Sequence, residues 1–497
     1  MNRDRDLTRR AFKGAAWMGG ASLMRIAIRM LAVAVLARLV TPADFGIAAA
    51  SLIVVDFAIM LGQLGLSSAI IQRQEILARH VATAFGVGLL LTVLLTVGMW
   101  FAGPVFAHLL AIDEVSFVTK FLTLMVLFRV LGGLSEAILA RSLKSREIAM
   151  SSLISWALAT FFVAIPLAYL DFGYWALVAM SIAEAAVWCS MLAYFAREEL
   201  RTPWIDRQSL SELIPLGIGF AVMAPFSFMS KNIDRLLLAR LLGASDLGLY
   251  SRSAFLAKTG LTVFSGIMRT TAFPSLSIVQ GDAARVSKAL RSGLAVTALL
   301  TVPAGVFCAC FAVEIVSVML GSRWAAAAIP LATFGVSFYP VLGQRFLISI
   351  FQSTGRPYAL IPIQILYLVL LSVLIIGLHE FGLSAVCLGV ATAAFVQFYL
   401  SLRLTKKTVI IEWAAIAKLH WPSLLSGFGV LLVGLATKYL TFGMSSWVTL
   451  GLGIVMVSFS LLVATYVSPT LFLGREGIDL AKKVLGSRAS FLGSGTK

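Results

Sequence analysis

The chain has 497 residues, of which 60% are hydrophobic and 13% charged, and it carries a formal net charge of +17. Soluble domains carry roughly 25% charged residues, so this composition excludes a water-soluble fold. The basic charge is divided among short loops and forms no single patch, which argues against nucleic acid as a partner.

Mean hydropathy is +0.95, and the apolar runs last about 20 residues, the length a helix needs to cross the hydrocarbon core of a bilayer. Barrel strands would alternate over about ten residues instead. The expected fold class is therefore an all-α integral membrane protein with about fourteen transmembrane helices. Met1–Arg10 is polar and basic, and the apolar stretch behind it contains Arg25 and Arg29 and lacks a clear cleavage site. It reads as a retained first helix.

In chain order the spans are expected over 14–38, 44–70, 81–108, 117–140, 148–170, 174–196, 212–239 and 246–274, then 286–310, 325–351, 358–378, 382–403, 417–438 and 446–468. Residues 311–324 are mostly apolar but too short to cross, which suits a partial helix or an interfacial segment. Pro166, Pro225, Pro340 and Pro362 fall within or at the edge of spans and are candidates for kinks. Lys and Arg collect in alternate loops, with clusters at Arg3–Lys13, Arg141–Arg146, Arg285–Arg291 and Arg403–Lys407. By the positive-inside rule these loops, and both termini, are expected on the cytoplasmic side.

An internal repeat is visible. Ala37-Arg38-Leu39-Val40 leads through Asp44-Phe45-Gly46-Ile47, and Ala239-Arg240-Leu241-Leu242 leads through Asp246-Leu247-Gly248-Leu249, at a constant offset of 202 residues. A weaker pair, Asp171-Phe172-Gly173 and Glu380-Phe381-Gly382, occupies the turn between the fifth and sixth helices of each half. Two matches at equivalent positions argue for duplication. The expectation is an N-terminal six-helix lobe at 1–205 and a C-terminal six-helix lobe at 206–405, related by a pseudo-two-fold axis along the membrane normal. Residues 406–497 would add two further helices and a basic cytoplasmic tail.

Ionisable side chains at bilayer depth cost about 2.5–3.5 kcal/mol each on insertion scales, so they usually face a cavity. Arg25 and Arg29 lie one helical turn apart on one face. The offset of 202 carries Arg29 onto Lys231 and Asp56 onto Lys258. The candidate cationic cavity comprises Arg25, Arg29, Lys231, Arg129, Lys258 and Arg345, and it suits an anionic phosphate or diphosphate that Arg can fork. Asp56, Gln63, Glu184 and Asp234 are candidate sugar or ion contacts. Internal ion pairing is the alternative, with Glu184 or Asp56 neutralising an Arg.

Little points to chemistry. His108 and Asp113 stand in an H-x-x-x-x-D spacing, a short and nonspecific pattern on an outer loop. His80, His379 and His420 flank loops and read as solvated. Cys189, Cys308, Cys310 and Cys387 lie in apolar segments without ligand spacing and read as small hydrophobes. No catalytic residue, metal or other cofactor is expected, and energy would come from an ion gradient or from the substrate's own flux.

Ala37–Gly46, Gly65–Arg73, Gly173–Val178, Asn232–Tyr250, Phe273–Leu276 and Gly321–Ala328 follow one another in an order that resembles the polysaccharide transport family of the multidrug/oligosaccharidyl-lipid/polysaccharide flippase superfamily. The resemblance runs from about residue 10 to residue 405. It implies a bacterial inner-membrane protein that moves undecaprenyl-diphosphate-linked oligosaccharide from the cytoplasmic to the periplasmic leaflet, by alternating access between two six-helix lobes. It also implies that the lipid tail slides through a lateral gap, and that the last two helices flank a hydrophobic groove. Implied partners are membrane lipid, a polysaccharide polymerase, chain-length and export proteins, and a coupling proton or sodium ion. A peptidoglycan-precursor flippase, a drug/cation antiporter and a membrane polymerase or acyltransferase are the competing expectations.

Overall fold

The computed structural model describes residues 26–63, 65–271, 283–353, 357–405, 413–474 and 477–478. Arg25, the basic N-terminal segment, Phe273–Leu276 and nearly all of the basic tail lie outside the described residues. Among the described residues the regular structure is entirely helical. In chain order the helices are α1 (26–39), α2 (Pro42–Gln63), α3 (Leu66–Gln72), α4 (Ala78–Leu110), α5 (Glu114–Arg141), α6 (Ser145–Tyr169), α7 (Tyr174–Phe195) and α8 (Arg207–Thr271). There follow α9 (Ala283–Cys310), α10 (Ala312–Met319), α11 (Ala328–Val336), α12 (Phe338–Ser353), α13 (Ile361–Leu378), α14 (Gly382–Thr405), α15 (Trp413–Leu440) and α16 (Ser446–Val467).

Nine helices among the described residues are long and apolar enough to cross a membrane, and up to eleven if each of two bent pairs counts as one span. That is fewer than the fourteen expected, for identifiable reasons. The run Tyr358–Thr405 counts once although it contains α13 and α14. The helix Arg207–Thr271 joins two expected spans through Gly243, whose φ of 82° and ψ of −176° break the helical path. The first half of the first expected span, 14–25 of 14–38, falls outside the described residues.

The apolar runs become helices because lipid offers the backbone no partners, so each N–H must pair within its own segment. Buried hydroxyls solve the same problem locally. Thr92 donates to the carbonyl of Gly88 (2.8 Å), Ser181 to that of Leu177 (2.9 Å) and Thr297 to that of Gly293 (2.6 Å), all one turn back. Of the expected kinks, Pro166 produces one of a particular kind. It has no N–H for the carbonyl four residues earlier, and the preceding turn, Ala159–Ala164, widens into a π-helix in which Ile165 N–H reaches the carbonyl of Thr160. Pro362 instead stands at the first turn of α13, where its missing donor is harmless. Pro340 lies just after Ser337, at a 44° bend between Ser322–Val336 and Phe338–Phe351. The short segment 311–324 forms α10 and a 3₁₀ turn at Ser322–Ala327, as its length suggested.

Two compact units divide the contacts. The first comprises Met1–Gly248 and Met319–Arg323, the second Leu249–Val318 and Trp324–Lys497. The core of the first gathers Leu66, Ile70, Phe85, Leu134, Leu139, Trp188 and Leu213 from α3, α4, α5, α7 and the start of α8. In the second, Leu290, Leu294, Phe346, Leu347 and Phe398 join α9, α12 and α14, while Phe311, Val430 and Val457 tie α15 and α16 to the segment after α9.

The repeat has a physical signature inside the first unit. A Cβ at Gly46 would lie 1.7 Å from the carbonyl oxygen of Ala244, and one at Gly248 would lie 1.8 Å from that of Pro42. Gly248 follows Gly46, and Ala244 follows Pro42, by the same 202 residues. Each copy of the motif therefore presses its glycine on the other copy's first turn, the reciprocal pattern that a two-fold relation requires. No side chain fits at either glycine. The aspartate of the first copy braces a third helix: Asp44 accepts hydrogen bonds from the Thr41 hydroxyl (2.5 Å) and from the backbone N–H of Tyr174 (3.1 Å), placing its charge at the N-terminus of α7.

Candidate functional site

Four helices of the first unit bring ionisable side chains together well inside their lengths. Arg129 on α5 donates to the carboxylate of Glu184 on α7 at 3.3 Å, and its guanidinium lies 5.1 Å from the centre of the Trp188 ring one turn along α7. Both side chains of the pair are about a quarter exposed (26% and 23%), and Arg129 Nε is buried with no hydrogen-bond partner. The charge of Arg129 also acts on Glu136 two helical turns away, and on Asp56 of α2 jointly with Arg235 of α8. Arg129 thus interacts with three carboxylates, Asp56, Glu136 and Glu184.

Asp56 opens onto a cavity of about 500 Å³ where α2 ends. The break at Gly65 turns the chain between α2 and α3 and presents Gln63, Ser67 and Ser68 to the same space, while Ala224 and Ser227 approach from α8 and Ile59 and Met60 supply an apolar wall. Ser67 Oγ is buried without a hydrogen-bond partner. The wall therefore offers a carboxylate, an amide and three hydroxyls beside a hydrophobic strip.

The other candidate residues are placed differently. Arg29 is exposed on α1, with its guanidinium 5.5 Å from the centre of the Trp156 ring. Lys231 is exposed and Asp234 half-buried on α8, one turn apart. Lys258 and Arg345 are exposed and belong to the second unit. Of the ten candidates, the structure brings Asp56 and Gln63 to one cavity wall and pairs Arg129 with Glu184 beside it.

A second ionic cluster in this unit escaped the sequence reading. His80 was expected to be solvated; it is fully buried. Its Nδ1 accepts the N–H of Leu77 (3.0 Å) at the start of α4, so Nε2 carries the proton that is donated to Glu212 of α8 (2.8 Å). The same carboxylate receives Arg73 at 2.5 Å and Arg79 at 3.6 Å. Arg141, at the end of α5, donates to the carbonyls of Ile70 (3.2 Å), Gln74 (2.6 Å) and Arg73, closing the C-terminus of α3. Asp206 caps α8 by accepting from Ser209 N–H (2.8 Å) and hydroxyl (2.6 Å), and these bonds hold its carboxyl below the usual range. The spacing of His80 and Glu212, 132 residues apart, gave no signal in the sequence.

In the second unit an apolar groove of about 450 Å³ runs between α9 (Leu299, Pro303, Phe307), α15 (Val430) and α16 (Ile454, Val457, Leu461). Lys438 of α15 donates to Glu314 of α10 (3.0 Å) and to the carbonyl of Cys310 (2.8 Å), fastening α15 to the end of α9 and to α10.

Comparison with known proteins places these features. A family model described as "Polysaccharide biosynthesis protein" matches residues 35–329. The succinoglycan biosynthesis transport protein ExoT of Rhizobium meliloti (strain 1021) is 28% identical over 317 residues, 64% of this chain and 61% of that protein. The match thus spans less than two thirds of ExoT's length. The lipopolysaccharide biosynthesis protein WzxC of Escherichia coli (strain K12) is 23% identical over 356 residues, 71% of this chain and 69% of that one. Among solved structures, the lipid II flippase MurJ in an inward closed conformation superposes with a TM-score of 0.68 at 13% identity, covering 90% of this chain and 98% of its own. The fold is shared with MurJ, and the chain is a multi-pass membrane protein.

Proposed function

Because the chain belongs to the polysaccharide biosynthesis protein family, we propose that it is a flippase of the bacterial inner membrane. It moves undecaprenyl-diphosphate-linked oligosaccharide repeat units from the cytoplasmic to the periplasmic leaflet by alternating access, for exopolysaccharide or O-antigen synthesis. The observation that carries this reading is a cavity that sets Asp56, Gln63 and three serines among apolar residues, between apolar spanning helices.

Dragging a diphosphate and several sugars through hydrocarbon is prohibitively costly. A polar path removes that barrier, while the prenyl tail stays among apolar groups such as those of the groove along α15 and α16. In this reading Arg29 and Lys231, with Arg25, Arg129, Lys258 and Arg345, meet the diphosphate along its path. Asp56, Gln63, Glu184 and Asp234 meet sugars or a coupling proton or sodium ion. The duplicated lobes are 1–205 and 206–405, fourteen helices cross the membrane, and both termini are cytoplasmic. The protein transports and has no catalytic residue; a polymerase and chain-length and export proteins would take up its product.

Deleting the gene and following lipid-linked repeats by leaflet tests this directly. Accumulation on the cytoplasmic face is expected. Normal translocation with unpolymerised repeats outside would instead identify a polymerase, and loss of peptidoglycan-precursor export would identify a different substrate. Arg29→Ala is expected to abolish translocation while the protein still inserts; full activity would remove Arg29 from the path.

A further inference from the structure

The cavity beside Asp56 has a definite chemical character. Its volume of about 500 Å³ lies within the roughly 300–1,000 Å³ of small-molecule sites. Its lining mixes the apolar Ile59 and Met60, on the same face of α2 as Asp56 and Gln63, with the Asp56 carboxylate, the Gln63 amide and the hydroxyls of Ser67, Ser68 and Ser227. A pyranose ring offers a matching mixture, C–H groups on its faces and hydroxyls around its rim. Ser67 Oγ is buried without a partner, an unfavourable state that a ligand hydroxyl would complete.

No Lys or Arg stands among the residues that line the cavity. Of the two guanidinium groups whose charge reaches Asp56, Arg129 is engaged by Glu184 at 3.3 Å, and neither it nor Arg235 lines the wall. An anionic sugar entering here would lose water and meet the Asp56 carboxylate without a cation in contact. A neutral sugar would lose only hydroxyl hydration, and the wall returns those hydrogen bonds.

We infer that the cavity lined by Asp56, Gln63 and Ser67 is a subsite for an uncharged sugar residue, and that it discriminates against uronic and other acidic sugars. Asp56 and Gln63 meet ring hydroxyls, and Ser67 contributes a hydroxyl of its own. The inference rests on the flippase reading for its biological substrate, but the selectivity belongs to the cavity and is measurable alone.

The test uses the full chain in lipid nanodiscs and two free probes, a neutral gluco-oligosaccharide and the same oligosaccharide with one residue oxidised to a uronate. Ligand-observed saturation-transfer NMR with competition gives their relative affinities. The neutral probe is expected to bind about tenfold more tightly, the discrimination one uncompensated charge supplies. Asp56→Asn should weaken the neutral probe about fivefold, and Ser227→Lys, which adds a cation to the wall, should raise uronate binding about tenfold. Unchanged thermal unfolding of each variant shows that it is folded.

Equal binding of both probes by the native protein, binding of neither, or a ratio that Ser227→Lys does not move would each overturn the subsite. The leaflet assay separates the two ideas. Translocation of lipid-linked substrate without sugar selectivity at Asp56 removes the subsite and leaves the flippase. Selective sugar binding without translocation does the reverse.

Discussion

Two ionic clusters in the first unit are built from the same residue types and differ in how completely they are satisfied. Around Glu212, at the ends of helices, every group has a partner: Arg73 at 2.5 Å, His80 at 2.8 Å with its other nitrogen capped by Leu77 N–H, and Arg79 at 3.6 Å. Around Asp56, well inside the helices, Arg129 holds Glu184 at 3.3 Å with Nε left over, Ser67 Oγ is unpartnered, and Asp56 opens onto a cavity. A saturated cluster has no bonding capacity left for a ligand and serves to hold elements together. An unsaturated one at bilayer depth is costly unless something else completes it.

The sharpest test of that distinction is Arg129→Ala. Breaking a buried ion pair costs about 3–5 kcal/mol; with both partners about a quarter exposed, a loss nearer 1–3 kcal/mol is expected, by thermal unfolding in detergent. Translocation should be abolished. Adding Glu184→Ala should recover most of the stability and none of the transport. If the double variant regains transport, Arg129 serves only to neutralise Glu184.

His80→Ala comes next and should behave in the opposite way. It leaves the Leu77 N–H and the Glu212 carboxylate each one bond short, a destabilisation of about 1–3 kcal/mol, while the folded fraction transports normally. A selective loss of transport at unchanged stability would make the Glu212 cluster functional and erase the contrast.

Ser67→Ala should stabilise the ligand-free protein by about 1 kcal/mol, because it removes a buried hydroxyl that has no partner in the protein. A marked destabilisation in unfolding assays would show that this hydroxyl is already satisfied.

The smallest effect concerns pH at the Asp206 cap. Hydrogen bonds from Ser209 depress its folded-state pKa below the usual carboxylate range. A group with a depressed pKa stabilises fully above its unfolded value and loses that contribution as pH falls through the folded one. The cap should therefore be constant from about pH 5 to 8 and weaken only in stronger acid, whereas Asp206→Asn should flatten this acid limb in a pH series of melting temperatures.

Much of this architecture was legible along the chain. Hydropathy placed α4 to α7 within a few residues, because a span is a local property of composition and length. The duplication was visible at Asp44–Gly46 and Asp246–Gly248, and the reciprocal packing of Gly46 and Gly248 gives the physical reason both copies carry glycine there. Arg129 and Glu184 were both flagged as charges in the membrane. Their pairing was one of several open possibilities, since partner choice depends on how α5 and α7 are rotated against each other, which hydropathy does not encode.

His80 shows the limit most clearly. A histidine beside Arg79 in a polar stretch reads as solvated, and only the arrival of α8 with Glu212, together with the turn at Leu77, makes it a buried bridge. Composition and periodicity were enough to determine the solvent and the helical class, because those follow from the cost of exposing backbone and charge to lipid. Tertiary structure decided which charges are neutralised, which helix ends are tied and where a cavity remains, because those depend on distances between residues far apart in the chain, from 55 positions for Arg129 and Glu184 to 139 for Arg73 and Glu212.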